Sequence, residues 1–231
     1  MLLNILGFAS IETIIIILFA IIIDFNFPVS IQELNSYVRV NYASYLTIGN
    51  VFMLSVIENL FIFEIISPLK IYYEINQYGL CWFLFSTITY LIISDFCVYV
   101  THYLLHSSFM YKYVHYLHHK FTYPAALDFG AIHPLETLTI YASFHLVLLI
   151  IPVYYLVVHL YSLSLVVLAI LMHGNGLIML LKIPLLGQLF PVNFHNIHHK
   201  KHVYNYGIGI LGTYWDKLFK TNKFVNDACR F

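Results

Sequence analysis

The chain has 231 residues, 61% of them hydrophobic and only 10% charged. Eleven Lys and Arg balance eleven Asp and Glu, and mean hydropathy is +0.80. Soluble domains carry about 25% charged residues, so this composition excludes an ordinary cytosolic domain, a disordered chain and a basic nucleic-acid binder. An integral membrane protein with thirteen histidines remains.

Three apolar stretches come first: 2–23, 45–66 and 80–100. Each approaches the roughly 20 residues of a spanning helix. The first has no basic leader and no small-residue cleavage site, so it reads as a mature span rather than a secretory signal. Residues 101–137 are polar, aromatic and rich in histidine. A second apolar block, 138–172, is interrupted by Pro152. It is too long for one span, so a helical hairpin turning near residues 152–159 is expected. Residues 174–194, with Gly174, Gly176, Pro184, Gly187 and Pro191, read as a broken interfacial segment, and 195–231 as a polar tail. The predicted fold is thus an all-α membrane bundle of three N-terminal spans plus a hairpin, divided into an N-terminal transmembrane region, 1–79, and a catalytic domain, 80–231. Cys81, Cys97 and Cys229 form no disulfide framework or CxxC pair.

With this topology the histidine-rich segments share one side of the membrane. Arg39, Lys112, Lys120, Lys200, Lys201, Lys217, Lys220, Lys223 and Arg230 lie there too, while Lys70 is opposite and Lys182 is unassigned. The positive-inside rule makes that side cytosolic.

The histidines fall in patterns. His102 and His106 form HxxxH, and His115, His118 and His119 form HxxHH. His195, His198 and His199 repeat HxxHH. Two such triplets would arise by accident in about one chain per thousand at this composition. On a helix, positions i, i+3 and i+4 share a face, so each triplet is expected to aim three imidazoles at one point. Buried together, so many imidazoles need a partner. Metal ions supply it, and eight nitrogens suit two ions. His173, at the end of the hairpin, is a plausible ninth ligand. His133, at its start, is a ligand or a pocket residue. Asp95 and Tyr99 share a helix face with His102 and His106, and Asp95 is expected to orient these histidines from behind. His145 and His159 have structural or pocket roles. His202, one turn past His198, is a weaker ligand candidate.

A histidine-rich site beside a bilayer suits dioxygen chemistry on a lipid. Breaking an unactivated C–H bond needs a redox-active metal such as iron; zinc is redox-inert. No flavin or nicotinamide fingerprint occurs, so electrons come from a partner, and an acidic carrier suits the basic face. A transporter would place these ligands inside several spans. A zinc hydrolase would show HExxH.

The stretches DFCVYVTHYLLH (95–106), HYLHH (115–119), HPLE (133–136), the isolated His173 and HNIHHKKHVYNYGIGILGTYWD (195–216) resemble the fatty acid hydroxylase superfamily. Within it they resemble the sterol desaturase branch. The triplet followed by Asn205-Tyr206-Gly207 and Trp215-Asp216 is similar to the ending of sterol C-5 desaturases. The fatty acid 2-hydroxylase subgroup places HxxxH at the third group, which His173 does not begin. The resemblance implies a di-iron site held by His102, His106, His115, His118, His119, His173, His195, His198 and His199, with Asn205 and Asp216 as supporting residues. It implies O2 as co-substrate and electrons from NAD(P)H through a reductase and a b-type cytochrome. It also implies an endoplasmic-reticulum-like membrane in a eukaryote and desaturation or hydroxylation of a lipid, a sterol first. Alternatives are a lipid hydroxylase acting on acyl chains and a non-enzymatic membrane metal-binding protein. No catalytic residue beyond the metal ligands is assigned.

Overall fold

The structure, a computed structural model, describes residues 2–27, 37–62, 70–122, 124–174 and 194–223. The expectations for residues 175–193, for Lys182, for Arg230 and for the Arg39 side chain lie outside the described residues.

Among the described residues four long helices form the bundle: α1 (Leu2–Asn26), α2 (Tyr37–Ile62), α3 (Gly79–Leu105) and, later in the chain, α6 (Tyr155–His173). Among the described residues α1, α3 and α6 are long and apolar enough to cross a membrane. Their outer faces are bare hydrocarbon: Ile14, Leu18 and Ile22 on α1 and Leu84, Ile88 and Ile92 on α3 are all exposed. Apolar rows of this size are stable against lipid, not water. The expected second span begins earlier than its apolar run suggests, at Tyr37. Helix α2 also buries Asn50, Glu58 and Asn59, which makes its inner face polar.

The chain between α3 and α6 builds the site. A helical run, α4, comprises Ser108–Met110, a π-helical turn Tyr111–His115 and Tyr116–His119. A 3-10 turn follows at Ala126–Gly130 and leads to α5 (Pro134–His145). His133 caps α5, its Nδ1 accepting from Leu135 N at 3.1 Å, and Pro134 fills the first helical position, where a missing N–H costs nothing. The hairpin turn precedes Tyr155. It falls at the start of the expected range, where Val153–Tyr154 (β2) pairs in parallel with Ile71–Tyr72 (β1) and fixes it. Among the described residues two short helices follow, α7 (Phe194–Lys201) and α8 (Gly212–Leu218).

Long-range polar contacts position the site segments. The Asp24 carboxylate accepts from Ala126 N at 2.6 Å and Leu127 N at 2.9 Å. Thr47 Oγ1 donates to Leu127 O at 2.9 Å. Asn50 Nδ2 donates to Gly130 O and Ile132 O, each at 2.9 Å. These bonds satisfy backbone groups that the 3-10 turn leaves unpaired, and they tie α1 and α2 to the loop that precedes α5. The cores flank this clasp. Ala20, Val51, Phe129, Leu168 and Met172 pack on one side, and Tyr90, Phe144, Leu148 and Tyr161 on the other.

Candidate metal centre

The C-terminal ends of α3 and α6 meet α4 and α7 at one end of the bundle. There the imidazoles collect in two groups, His102, His106, His115 and His198 in one and His118, His173, His195 and His199 in the other. Within each group one ring nitrogen per residue lies within 4.8 Å of all the others. His119 stands beside the first group, with its Nε2 3.0 Å from His115 Nε2.

This differs from the expectation that each triplet converges on one point. His115 and His119 face the first group while His118 faces the second; His195 and His199 face the second while His198 crosses to the first. The reason is helical geometry. Neighbouring positions differ by about 100° around the axis, so i and i+4 stay together and i+3 turns away. Each triplet therefore serves both groups.

The ring orientations are set by backbone acceptors. Nδ1 of His102 donates to Tyr206 O at 2.6 Å, that of His198 to Tyr204 O at 2.7 Å and that of His173 to Ala169 O at 2.6 Å. His115 Nδ1 lies 2.7 Å from Glu136 Oε1. Protons held on Nδ1 leave an Nε2 lone pair on each of these four rings, and Nδ1 of His118, His195 and His199 is buried with no partner among the described residues; the Nε2 atoms point at one another. In the first group Nε2 of His115 lies 2.9 Å from that of His106 and 3.2 Å from that of His102. In the second, Nε2 of His173 lies 3.1 Å from that of His195 and 3.3 Å from that of His118. Nitrogens this close share either a proton or a cation, and only a cation serves all four of a group at once. Two nitrogens about 2.1 Å from one ion and about 90° apart would themselves be about 3.0 Å apart. The residues present therefore fit a metal ion in each group.

Burial holds His115, His118, His195, His198 and His199 well below the ordinary imidazole value, and the neighbouring imidazoles push the same way. His106 and His119 are lowered by the same causes. Neutral imidazole is the ligating form. For the metal-free chain the sign is clear. The unfolded chain takes up protons below about pH 6.5 that the folded chain does not. Stability is therefore complete above that pH and falls on acidification, by up to about 1.4 kcal/mol per pH unit for each such histidine. Melting of the metal-free protein in detergent should move to lower temperature between pH 8 and pH 5; an unchanged midpoint would contradict the burial.

The supporting residues act at one remove. Asp95 bonds no histidine. It accepts from Trp215 Nε1 at 2.9 Å, Leu211 N at 3.2 Å and Tyr161 OH at 3.3 Å. Asp216 accepts from Tyr206 N at 2.9 Å and Gly207 N at 2.7 Å, which fixes the Tyr206 carbonyl on His102. Asn205 adopts φ 61 and joins Phe194 O to Lys223. Tyr99 OH meets Thr221 Oγ1 at 3.0 Å. These four hold the 205–221 loop rather than the rings. His133 is the α5 cap and stands outside both groups. His202 Nδ1 lies 2.8 Å from His119 Nδ1, so it braces that ring from behind. His145 Nδ1 bonds Tyr141 O at 2.8 Å.

Glu136 was legible in the sequence only as part of HPLE. Its contact with His115 joins residues 21 apart in the chain, and local spacing does not show it. Glu136 is 2% exposed. A carboxylate behind a ligating imidazole fixes its orientation and raises its basicity. Glu136→Gln is expected to weaken metal binding about 10- to 100-fold, read by chelator competition.

Both groups border a cavity of about 360 Å³. His102, His118, His173, His195 and Glu136 bound one end; Glu12, Glu58 and His159 bound the other. His159 and His173 both lie on α6, roughly 21 Å apart at about 1.5 Å per residue. The walls between are apolar, with Val51, Leu54, Phe144 and Met172 among them. Ile15 on α1 and Leu163 on α6 line the cavity and are also 60% and 43% exposed, so its mouth opens sideways between these helices.

A family model described as fatty acid hydroxylase matches residues 87–221, which include every histidine of both groups. Methylsterol monooxygenase 1 of Danio rerio is 32% identical over 135 residues, 58% of this chain and 46% of that protein. The protein of the same name from Gallus gallus is 30% identical over 131 residues, 57% of this chain and 44% of that protein. The matches thus span under half the length of either relative. No solved structure matches significantly.

Proposed function

This chain belongs to the fatty acid hydroxylase family, and on that premise we propose that it is a membrane-bound, non-haem di-iron oxidoreductase acting on a lipid, a sterol first. Two redox-active ions in the imidazole groups would supply dioxygen activation, driven by electrons from outside the chain. The nine histidines named above would hold them, and the carbonyls of Ala169, Tyr204 and Tyr206 would keep Nε2 of His173, His198 and His102 free to bind. The cavity would accept the lipid from the bilayer through its lateral mouth and keep water from the reacting carbon. The observation that carries this reading is that two groups of four imidazoles close one end of an otherwise apolar cavity. A protein that only stored metal would have no use for that space.

The names of the two relatives favour oxygen insertion over desaturation, and both outcomes start from the same C–H cleavage. Lys112, Lys120, Lys200 and Lys201 are exposed on the histidine end. They would face the cytosol and receive an acidic b-type cytochrome fed by an NAD(P)H reductase. In a eukaryote the endoplasmic reticulum membrane fits this assignment. Domain limits near residue 80 belong to the same proposal.

The test is expression of the full chain under ¹⁸O₂ with a reductase and cytochrome, followed by mass spectrometry of the lipids. A labelled alcohol is expected. A new double bond without label would mean desaturation, and an unaltered lipid profile would overturn the reading.

A further inference from the structure

The cavity has polar groups at both ends, and they differ in one respect. At the far end they satisfy one another. Both Glu58 oxygens are engaged, one by the Tyr141 hydroxyl and the other by His159 Nδ1 at 3.4 Å. Glu12 Oε2 accepts from Asn59 Nδ2 at 3.1 Å. At the histidine end two buried oxygens have no partner among the described residues, Glu136 Oε2 and Thr137 Oγ1. The residues are 2% and 4% exposed, and both line the cavity. A buried oxygen left unpaired costs on the order of 1–3 kcal/mol, so a native site holding two is built for a ligand that pairs them.

From this we propose that Glu136 and Thr137 form a hydroxyl-binding subsite for the lipid, resting on the reading that the cavity takes a lipid substrate. The ligand must suit an acceptor and a hydroxyl that both donates and accepts; a lipid alcohol does, giving its proton to Glu136 Oε2 and bonding Thr137 Oγ1. A hydrocarbon would leave both oxygens unpaired. The placement also puts the alcohol at the histidine end of the cavity. Glu136 stands one hydrogen bond and one imidazole ring from the centre of the first histidine group. A hydroxyl held there lies beside His102 and His118, two of the imidazoles that line this end of the cavity. The rest of the molecule extends along the roughly 21 Å of apolar cavity. Both residues are therefore specificity-determining: they select a lipid bearing a free hydroxyl over one whose hydroxyl is capped.

The experiment uses the full iron-loaded chain in nanodiscs and measures equilibrium binding of two pairs of labelled probes. One pair is a methyl-bearing sterol and its O-methyl ether; the other is a long-chain alcohol and its methyl ether. The wild type is expected to prefer a free alcohol over its ether by about tenfold, and the pair showing the preference identifies which lipid carries the hydroxyl. In Thr137→Val the preference should shrink to about twofold with iron content unchanged, and Thr137→Ser should keep it. Equal binding of alcohol and ether by the wild type in both pairs overturns the subsite, even where labelled oxygen still enters a lipid. An undiminished preference in Thr137→Val overturns it too. Absence of any oxygenated product, with the alcohol preference intact, overturns the oxidase reading and leaves the subsite standing.

Discussion

Replacing His118 by Ala should abolish product formation and lower bound metal from about two ions per chain to about one, while the protein still inserts and stays monodisperse in detergent. His118 belongs to the second group, and its ring nitrogen meets that of His173 at 3.3 Å. Three imidazoles would remain there. The first group, with His102, His106, His115 and His198, would be untouched in composition. An ion with fewer ligands binds less tightly, and a dioxygen reaction that needs both ions then stops. Metal analysis of the purified variant beside mass spectrometry of its lipids checks both halves. Wild-type product levels in this variant would remove the assignment of the second group.

The second large effect is expected away from any ligand. Gly207 packs so closely on Gly212 that a methyl group at position 207 would lie 2.2 Å from the Gly212 carbonyl carbon and oxygen. The obstacle is backbone, which cannot swing aside as a side chain can. Gly207→Ala must therefore spread the 205–216 loop. That loop carries the Tyr206 carbonyl that orients His102, and Asp216 holds it through the amides of Tyr206 and Gly207. A destabilisation of about 3 kcal/mol is expected, seen as a melting temperature lower by on the order of 10 °C, together with weakened metal binding. Gly7, with nothing within 4 Å of an added methyl group, is the control: Gly7→Ala should melt like the wild type.

Much of this architecture can be read from the residues. The apolar runs announce helices because a spanning segment must satisfy its backbone internally. The histidine boxes announce metal because so many buried imidazoles have no other stabilising partner. What could not be read shares one character: it depends on contacts between residues distant in the chain. Asp24 looks like the polar end of a span, yet it caps a turn 102 residues further on. Asn50 looks like an interruption in an apolar helix, yet it holds the loop before α5. Asp95 was expected behind the histidines because it shares their face of α3. Its carboxylate instead meets Trp215 and Leu211, because the C-terminal loop docks against that part of the helix. The splitting of the triplets is different. The angle between i+3 and i+4 was available from helix geometry, but only the positions of α3 and α6 decide that each triplet has both centres within reach.

That splitting has a consequence for how the site fills. Because α4 and α7 each send rings to both centres, neither helix can swing toward one ion without drawing its third ring away from the other. The first ion to arrive arranges most of the cage awaiting the second. Titration of the apoprotein should therefore be cooperative, with singly loaded chains scarce at half saturation.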